Sequence, residues 1–301
     1  AYLTLLLLTP HPRARLSQEC VYSTHKDADQ PLPSLFDPAT IDLSLVIPAY
    51  NEAERLPAML DEALDHLEKR GKSYEVLVVD DGSATDETAK AVLDCARRRE
   101  DTGGQYVRLI RLKINRGKGG AVTHGMLFAR GQHLLFADAD GASQFSDLQS
   151  LENALGLLQK ENEVTSPEHG LVLGSRAHMV DTEAVVKRSF LRNMLMRAFH
   201  LYLHVLGISS IQDTQCGFKL CTRETARIVY PSMHVEGWIF DVELITIALL
   251  AGVPIAEVPI TWREIEGSKM SLLQDSIKMA LDLLIIRLNY ALGRWTIAAA
   301  S

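Results

Sequence analysis

The feature that most restricts this chain is a repeated alternation over residues 43–137. Short apolar runs at 43–48 (LSLVIP), 74–79 (YEVLVV), 107–112 and 134–137 are separated by stretches with apolar residues three and four apart. Such runs read as strands buried on both faces. Between the first two, Leu56, Met59, Leu60, Ala63, Leu64 and Leu67 mark one helical face, ended by Gly71. Further helices are expected over 85–98 and 121–129. The order β-α-β-α-β-α-β predicts an α/β fold with a mostly parallel central sheet and helices on both faces. In open sheets of this kind the ligand sits off the carboxyl ends of the strands. Here those ends carry Tyr50 and Glu52, then Asp81, then Arg116 and Lys118, then Asp138 and Asp140. Any one of these is ordinary in a loop; together, at one end of four strands, they predict a site.

The last of these ends, LLFADADG (134–141), carries the most chemistry. Strand alternation points Asp138 and Asp140 to one side. Two neighbouring carboxylates repel unless a cation or hydrogen-bond donors compensate. A hard divalent ion such as Mg²⁺ or Mn²⁺ does this and also holds a diphosphate. Two acids capping the next helix give the same letters. No GxGxxG follows the first strand, and Gly117-Lys118-Gly119-Gly120 lacks the upstream glycine and the hydroxyl of a P-loop.

With 301 residues the chain is long enough for one large α/β domain. A net charge of −7 argues against general nucleic-acid binding. The four cysteines, Cys20, Cys95, Cys216 and Cys221, have no CxxC spacing, so neither a disulfide framework nor a zinc site is expected. The apolar residues 1–9 are too few to span a bilayer. Followed by Arg13 and Arg15, they read as the end of a longer membrane anchor (1–18) that leaves the main domain on the cytosolic side. Residues 19–42 read as a linker.

Past the acidic pair, helices are expected over 145–158 and 238–250, and strands over 171–173 and 255–261. Pro259 argues for a sheet edge. The stretch 185–206, with Lys187, Arg188, Arg192 and Arg197, reads either as a core helix with a solvated basic face or as a helix at an anionic membrane surface. The largely apolar helix 272–292 contains Asp275, Lys278, Asp282 and Arg287, so it is expected to lie in the interface or pack on the domain rather than span.

Taken together, VIPAYNE (46–52), VVDDGSATDET (78–88), NRGKGGAV (115–122), DAD (138–140), GSR (174–176) and QCGFK (215–219) resemble glycosyltransferase family 2 from about residue 43 to 295. The resemblance implies the GT-A nucleotide-sugar-binding fold over 43–271, with a membrane-proximal helix over 272–301. It implies inverting transfer of glucose from UDP-glucose to dolichyl phosphate at the endoplasmic reticulum membrane, for protein N-glycosylation. Mannose transfer from GDP-mannose is the alternative, and a non-catalytic nucleotide-sugar-binding membrane protein a more distant one. By the same resemblance Pro48, Tyr50, Glu52 and Asp81 line a uridine pocket, with Val79 and Asp80 beside it. Asp138, Ala139 and Asp140 bind the nucleotide, the two aspartates holding Mg²⁺ or Mn²⁺. Lys118, Arg176, Arg263 and Lys269 face the donor phosphates, and Lys187, Arg188 and Arg192 face the acceptor phosphate. Catalysis is expected from Asp140 and Arg176. Asp241 is the candidate base, although an acid in a helix's first turn also serves as a cap.

Overall fold

Each of the expected apolar runs forms a strand, and the strands join in one sheet. The computed structural model describes residues 2–162, 166–179, 211–265 and 272–298. The basic stretch with Lys187, Arg188 and Arg192, and also Lys269, lie outside the described residues. The seven strands are β3 (Ile41–Ala49), β4 (Tyr74–Asp80), β5 (Val107–Arg111), β6 (Gly131–Ala137), β7 (Leu171–Ser175), β8 (Phe218–Thr222) and β9 (Ile255–Pro259), in the order β5-β4-β3-β6-β8-β7-β9. Four neighbouring pairs are parallel; β8 runs antiparallel to both β6 and β7. The strand with Pro259 is at the sheet edge, as a residue without an N–H requires.

Alternation divides each central strand between two cores. Leu43, Leu45, Ile47, Val76, Val78 and Leu135 face one side, where helices α2 (Leu56–Arg70), α3 (Thr88–Arg98) and α5 (Leu148–Glu161) pack. Val46, Leu77, Val79, Leu134 and Phe136 face the other. There they meet α4 (Lys118–Leu127), α6 (Arg223–Val229), α7 (Phe240–Leu250) and α8 (Leu272–Ala291). Burial on both faces is why these strands read as continuous apolar runs. All six apolar positions expected on one face of α2 are buried, and Gly71 caps it in the left-handed region at φ 66°.

Three expectations change. The helix expected from 121 begins at Lys118, so Gly119 and Gly120 belong to its first turn. Residues 145–147 form a 3₁₀ turn before α5. The stretch read as a linker is bound to the domain: Val21–Tyr22 (β1) pairs with Gln30–Pro31 (β2), and Leu35 is fully buried. Its polar composition hides that buried leucine and the Tyr22 and Leu32 side chains packed against the same core.

At the chain ends, Tyr2–Leu8 (α1) adjoins α8: Asn289 Nδ2 donates to Thr9 Oγ1 at 3.1 Å. Met279, Leu283 and Ile286 bury one face of α8, while Leu281, Leu284, Leu288 and Leu292 are exposed, as are Leu6, Leu7 and Leu8. No helix among the described residues is long and apolar enough to cross a membrane.

Arg223, almost wholly buried, fastens the 34–37 segment to the sheet. It donates to the carbonyls of Ala129 and Gly131 at 3.0 Å and of Asp37 at 2.6 Å. Arg223→Leu strands those acceptors away from water and should cost about 2–4 kcal/mol, read as a lower urea midpoint at unchanged m-value.

Candidate active site

Polar groups from separate loops meet at the carboxyl ends of β3, β4 and β6. The first two loops brace each other. Asn51, at φ 53°, donates its N–H to Ser83 Oγ at 2.8 Å, and the Glu52 N–H donates to Thr88 Oγ1 at 2.8 Å. Tyr50 is partly exposed at this end. Glu52 grips Arg55 through both carboxylate oxygens, at 2.6 and 2.8 Å.

Asp81 ties in the third loop. Its carboxylate accepts the N–H of Arg116 at 2.7 Å and of Gly117 at 2.8 Å. Burial pushes its carboxyl up to about 7, against the lowering effect of those two N–H groups. Gly117 sits at φ 92°, and a Cβ there would lie 2.5 Å from the Glu236 carbonyl. A Cβ on Gly119 would meet Phe240 at 2.4 Å. The glycine run therefore seats α4 against the 235–240 segment.

Asp138 and Asp140 lie beyond the last residue of β6, in a turn closed by Gly141 at φ 70°. Strand alternation does not govern them; local bonds do. The Asp138 N–H donates to the Gly217 carbonyl at 3.0 Å, and Asp138 Oδ1 meets Lys118 Nζ at 2.7 Å. Asp140 Oδ1 accepts the Ala142 N–H at 3.0 Å. Burial first, then the charge of Asp138, raises the Asp140 carboxyl above its ordinary range. A Cβ on Gly217 would stand 1.9 Å from Asp138 Oδ2, so any larger residue there would displace that carboxylate.

A second, deeper pair lies behind the first. Lys219 Nζ donates to Asp241 Oδ1 at 2.6 Å and also to the Cys216 carbonyl, and both side chains are almost wholly buried. The Phe136 ring is near both lysines, 5.3 Å from Lys118 Nζ and 5.8 Å from Lys219 Nζ. Burial lowers the Lys118 ammonium, but Asp138 and Asp241 outweigh it and hold the group above its ordinary value.

The late loop closes the other side. Ser143 bridges Trp262, and the Arg263 N–H donates to the Ala142 carbonyl at 2.9 Å, which sets the exposed Arg263 beside the acidic turn. Arg176 lies within electrostatic reach of Asp138, but its Nε and Nη2 donate to Asp213 at 2.7 and 2.8 Å.

The structure thus gathers Tyr50, Glu52, Asp81, Lys118, Asp138, Asp140, Arg176 and Arg263. Pro48 pairs with Val79 in the β3–β4 ladder. The side chains of Val79 and Ala139 pack into the two cores, so only their backbones are available. Asp241 faces Lys219 rather than an opening. Arg116 turns its side chain toward Glu19. Sequence reasoning missed Glu19, Asp213 and the Lys219–Asp241 pair. The one signal for Asp213 and Lys219 was their place around Gln215-Cys216-Gly217.

Among the described residues no three His, Cys, Asp or Glu side chains gather as a metal cage. Two carboxylates completed by substrate phosphate oxygens remain the mode that suits Mg²⁺ or Mn²⁺.

The sequence profile of glycosyl transferase family 2 matches residues 44–202. Dolichyl-phosphate beta-glucosyltransferase of Dictyostelium discoideum is 45% identical, covering 97% of this chain and 90% of that protein. The Homo sapiens protein of the same name is 45% identical, covering 93% and 86%. Among solved structures, glucosyl-3-phosphoglycerate synthase from Mycobacterium tuberculosis in complex with UDP superposes with a TM-score of 0.57 at 17% identity, covering 86% of this chain and 87% of that one. At that identity the likeness is one of fold.

The raised Asp81 carboxyl makes a prediction about pH. A group whose folded pKa lies above its unfolded one stabilises most below the unfolded value. That contribution is lost as pH rises to the folded pKa, here about 7. Denaturant titrations at pH 5 and 8 should show the wild type losing stability relative to Asp81→Asn over that interval.

Proposed function

Since the chain belongs to glycosyl transferase family 2, we propose that it transfers glucose from UDP-glucose to dolichyl phosphate with inversion, releasing UDP. The observation that carries this reading is the acidic turn itself. It is bonded to Lys118 on one side and to the Arg263 loop on the other, at the strand ends where Tyr50 and Asp81 emerge. The relatives that share 45% of the sequence over nearly its whole length support glucose and a dolichyl acceptor over mannose from GDP-mannose.

Pro48, Tyr50, Glu52 and Asp81 frame the uridine pocket, with the Val79 backbone beside it. Asp138 and Asp140 would hold Mg²⁺ or Mn²⁺, which when bound offsets negative charge on the departing diphosphate. The donor set suits it: burial and then the charge of Asp138 raise the Asp140 carboxyl, and a bound cation would favour its ionised form against both. Lys118, Arg263 and Lys269 supply further positive charge to the leaving group, and Arg176 is held ready by Asp213. The nucleophile is a phosphate oxygen, whose second pKa of about 6 leaves it largely ionised at neutral pH. No strong base is required, which suits an Asp241 committed to Lys219. Lys187, Arg188 and Arg192 take the acceptor phosphate.

Leu6, Leu7, Leu8, Leu281, Leu284 and Leu288 are exposed on α1 and α8, whose ends are joined by the Asn289–Thr9 bond, which supports membrane contact. The basic flank of Arg13 and Arg15 suits the cytosolic side of the endoplasmic reticulum.

Asp140→Ala should abolish glucose transfer, by about 10²-fold or more, with circular dichroism unchanged. Turnover at the wild-type rate would remove Asp140 from the mechanism. In a competition assay UDP should inhibit and GDP should not; the opposite order would favour the mannosyl reading.

A further inference from the structure

Residues 13–18 are expected to be the flank of an apolar terminus and Glu19 the first residue of a linker, yet they are wired into the strand-end loops. The Glu19 side chain is 1% exposed. Its Oε2 accepts from Arg116 Nη2 at 2.7 Å and from the Leu16 N–H at 3.0 Å; its Oε1 accepts the Lys113 N–H at 2.9 Å. The Glu19 carbonyl lies 2.7 Å from His124 Nε2, on α4. Arg116 completes the knot by donating to the carbonyls of Arg13 at 2.7 Å and Ala14 at 2.9 Å. Arg13 in turn donates to the Asn115 carbonyl at 2.7 Å and to Glu236 at 2.6 Å.

Five of these bonds end on the turn 113–117, at Lys113, Asn115 or Arg116, and the far side of that turn is the pair of N–H groups that hold Asp81. Within the turn Gly117 has a positive φ of 92° and Ile114 is exposed. Burial alone would raise the Glu19 carboxyl, but Lys113, Leu16 and Arg116 outweigh it and hold it below the ordinary range, so it is a permanent anion at neutral pH.

We propose that the 13–19 segment is a strap belonging to the donor site, in which Glu19, acting through Arg116, is a positioning residue for the nucleotide. Glu19 touches no substrate. It fixes the turn whose backbone fixes Asp81, and so couples the chain's apolar terminal region to the pocket. The inference rests on the donor reading of Asp81 given above and adds to it a residue and a segment outside the matched family region.

The test uses the full chain in detergent with Mn²⁺, and UDP binding measured by calorimetry. Glu19→Ala should weaken UDP about tenfold, and Glu19→Gln, which keeps an acceptor, about threefold. The KM for UDP-glucose should rise while that for dolichyl phosphate stays unchanged. Coupling is reciprocal, so UDP should slow hydrogen exchange at the Leu16 and Lys113 amides of the wild type, and not in Glu19→Ala. A merely structural role would lower the melting temperature and leave UDP affinity and this protection intact, which overturns the proposal. So would a rise of both KM values together. If Glu19→Ala does not fold, Arg13→Ala, on a partly exposed chain, should weaken UDP about threefold, and unchanged affinity there overturns the strap. A wild type that binds no UDP removes the donor reading and the strap with it; a wild type that binds, with variants that match it, removes the strap alone.

Discussion

Placing Asp138, Asp140 and Asp241 at one end of one sheet, each largely out of water, is tolerable only because cations are built in beside them. Lys118 answers Asp138 and Lys219 answers Asp241, and the Phe136 ring lies near both ammonium groups. The deeper pair contributes little net stability, since the desolvation of two buried ions offsets most of their attraction. Its value is geometric. Lys219 is anchored to Asp241 and to the Cys216 carbonyl. The next residue, Gly217, accepts the Asp138 N–H. The buried pair thus sets the height of the backbone on which the outer carboxylate rests.

The same constraint explains the glycines. Gly217, just before β8, is where Asp138 presses closest on neighbouring backbone, and Gly117 and Gly119 are where α4 must approach the 235–240 segment. That approach brings Lys118 to Asp138. A glycine-rich turn before a helix suggests a phosphate cradle when read as letters. Here its first task is packing, and the ammonium it delivers faces an acid.

Much of this was legible in the sequence. Period-two and period-3.6 patterns locate strands and helix faces because burial leaves its mark on every second or every third and fourth residue, as in β3 and α2. The convergence of the strand-end loops follows from topology alone. Pairings across the fold were not legible. Arg176 and Asp213 are 37 residues apart, Lys219 and Asp241 22, Glu19 and Arg116 97, and nothing in local composition marks them as partners. The residues 19–42 illustrate the same limit from the apolar side. A buried leucine, a two-residue β-pair and the bonds of Arg223 to its backbone help hold a segment whose letters spell a loop. Asp138 and Asp140 were found for a reason that does not apply, since they follow the strand rather than belong to it.

The fate of Asp241 shows how site chemistry shapes what a fold needs. A hydroxyl nucleophile would need a carboxylate free to take its proton, open to the acceptor and not neutralised by a lysine. A phosphate nucleophile arrives already ionised at neutral pH. On the proposed reading, the carboxylates of this site have no proton to move and can be committed to holding cations and loops in place. Asp241, Asp213 and Glu19 are all committed in that way, each buried and each bonded to a single basic side chain. On the same proposed reading the difficulty lies with the leaving diphosphate, and the positive charge available to it is that of Lys118, Arg176 and Arg263, near one acidic turn.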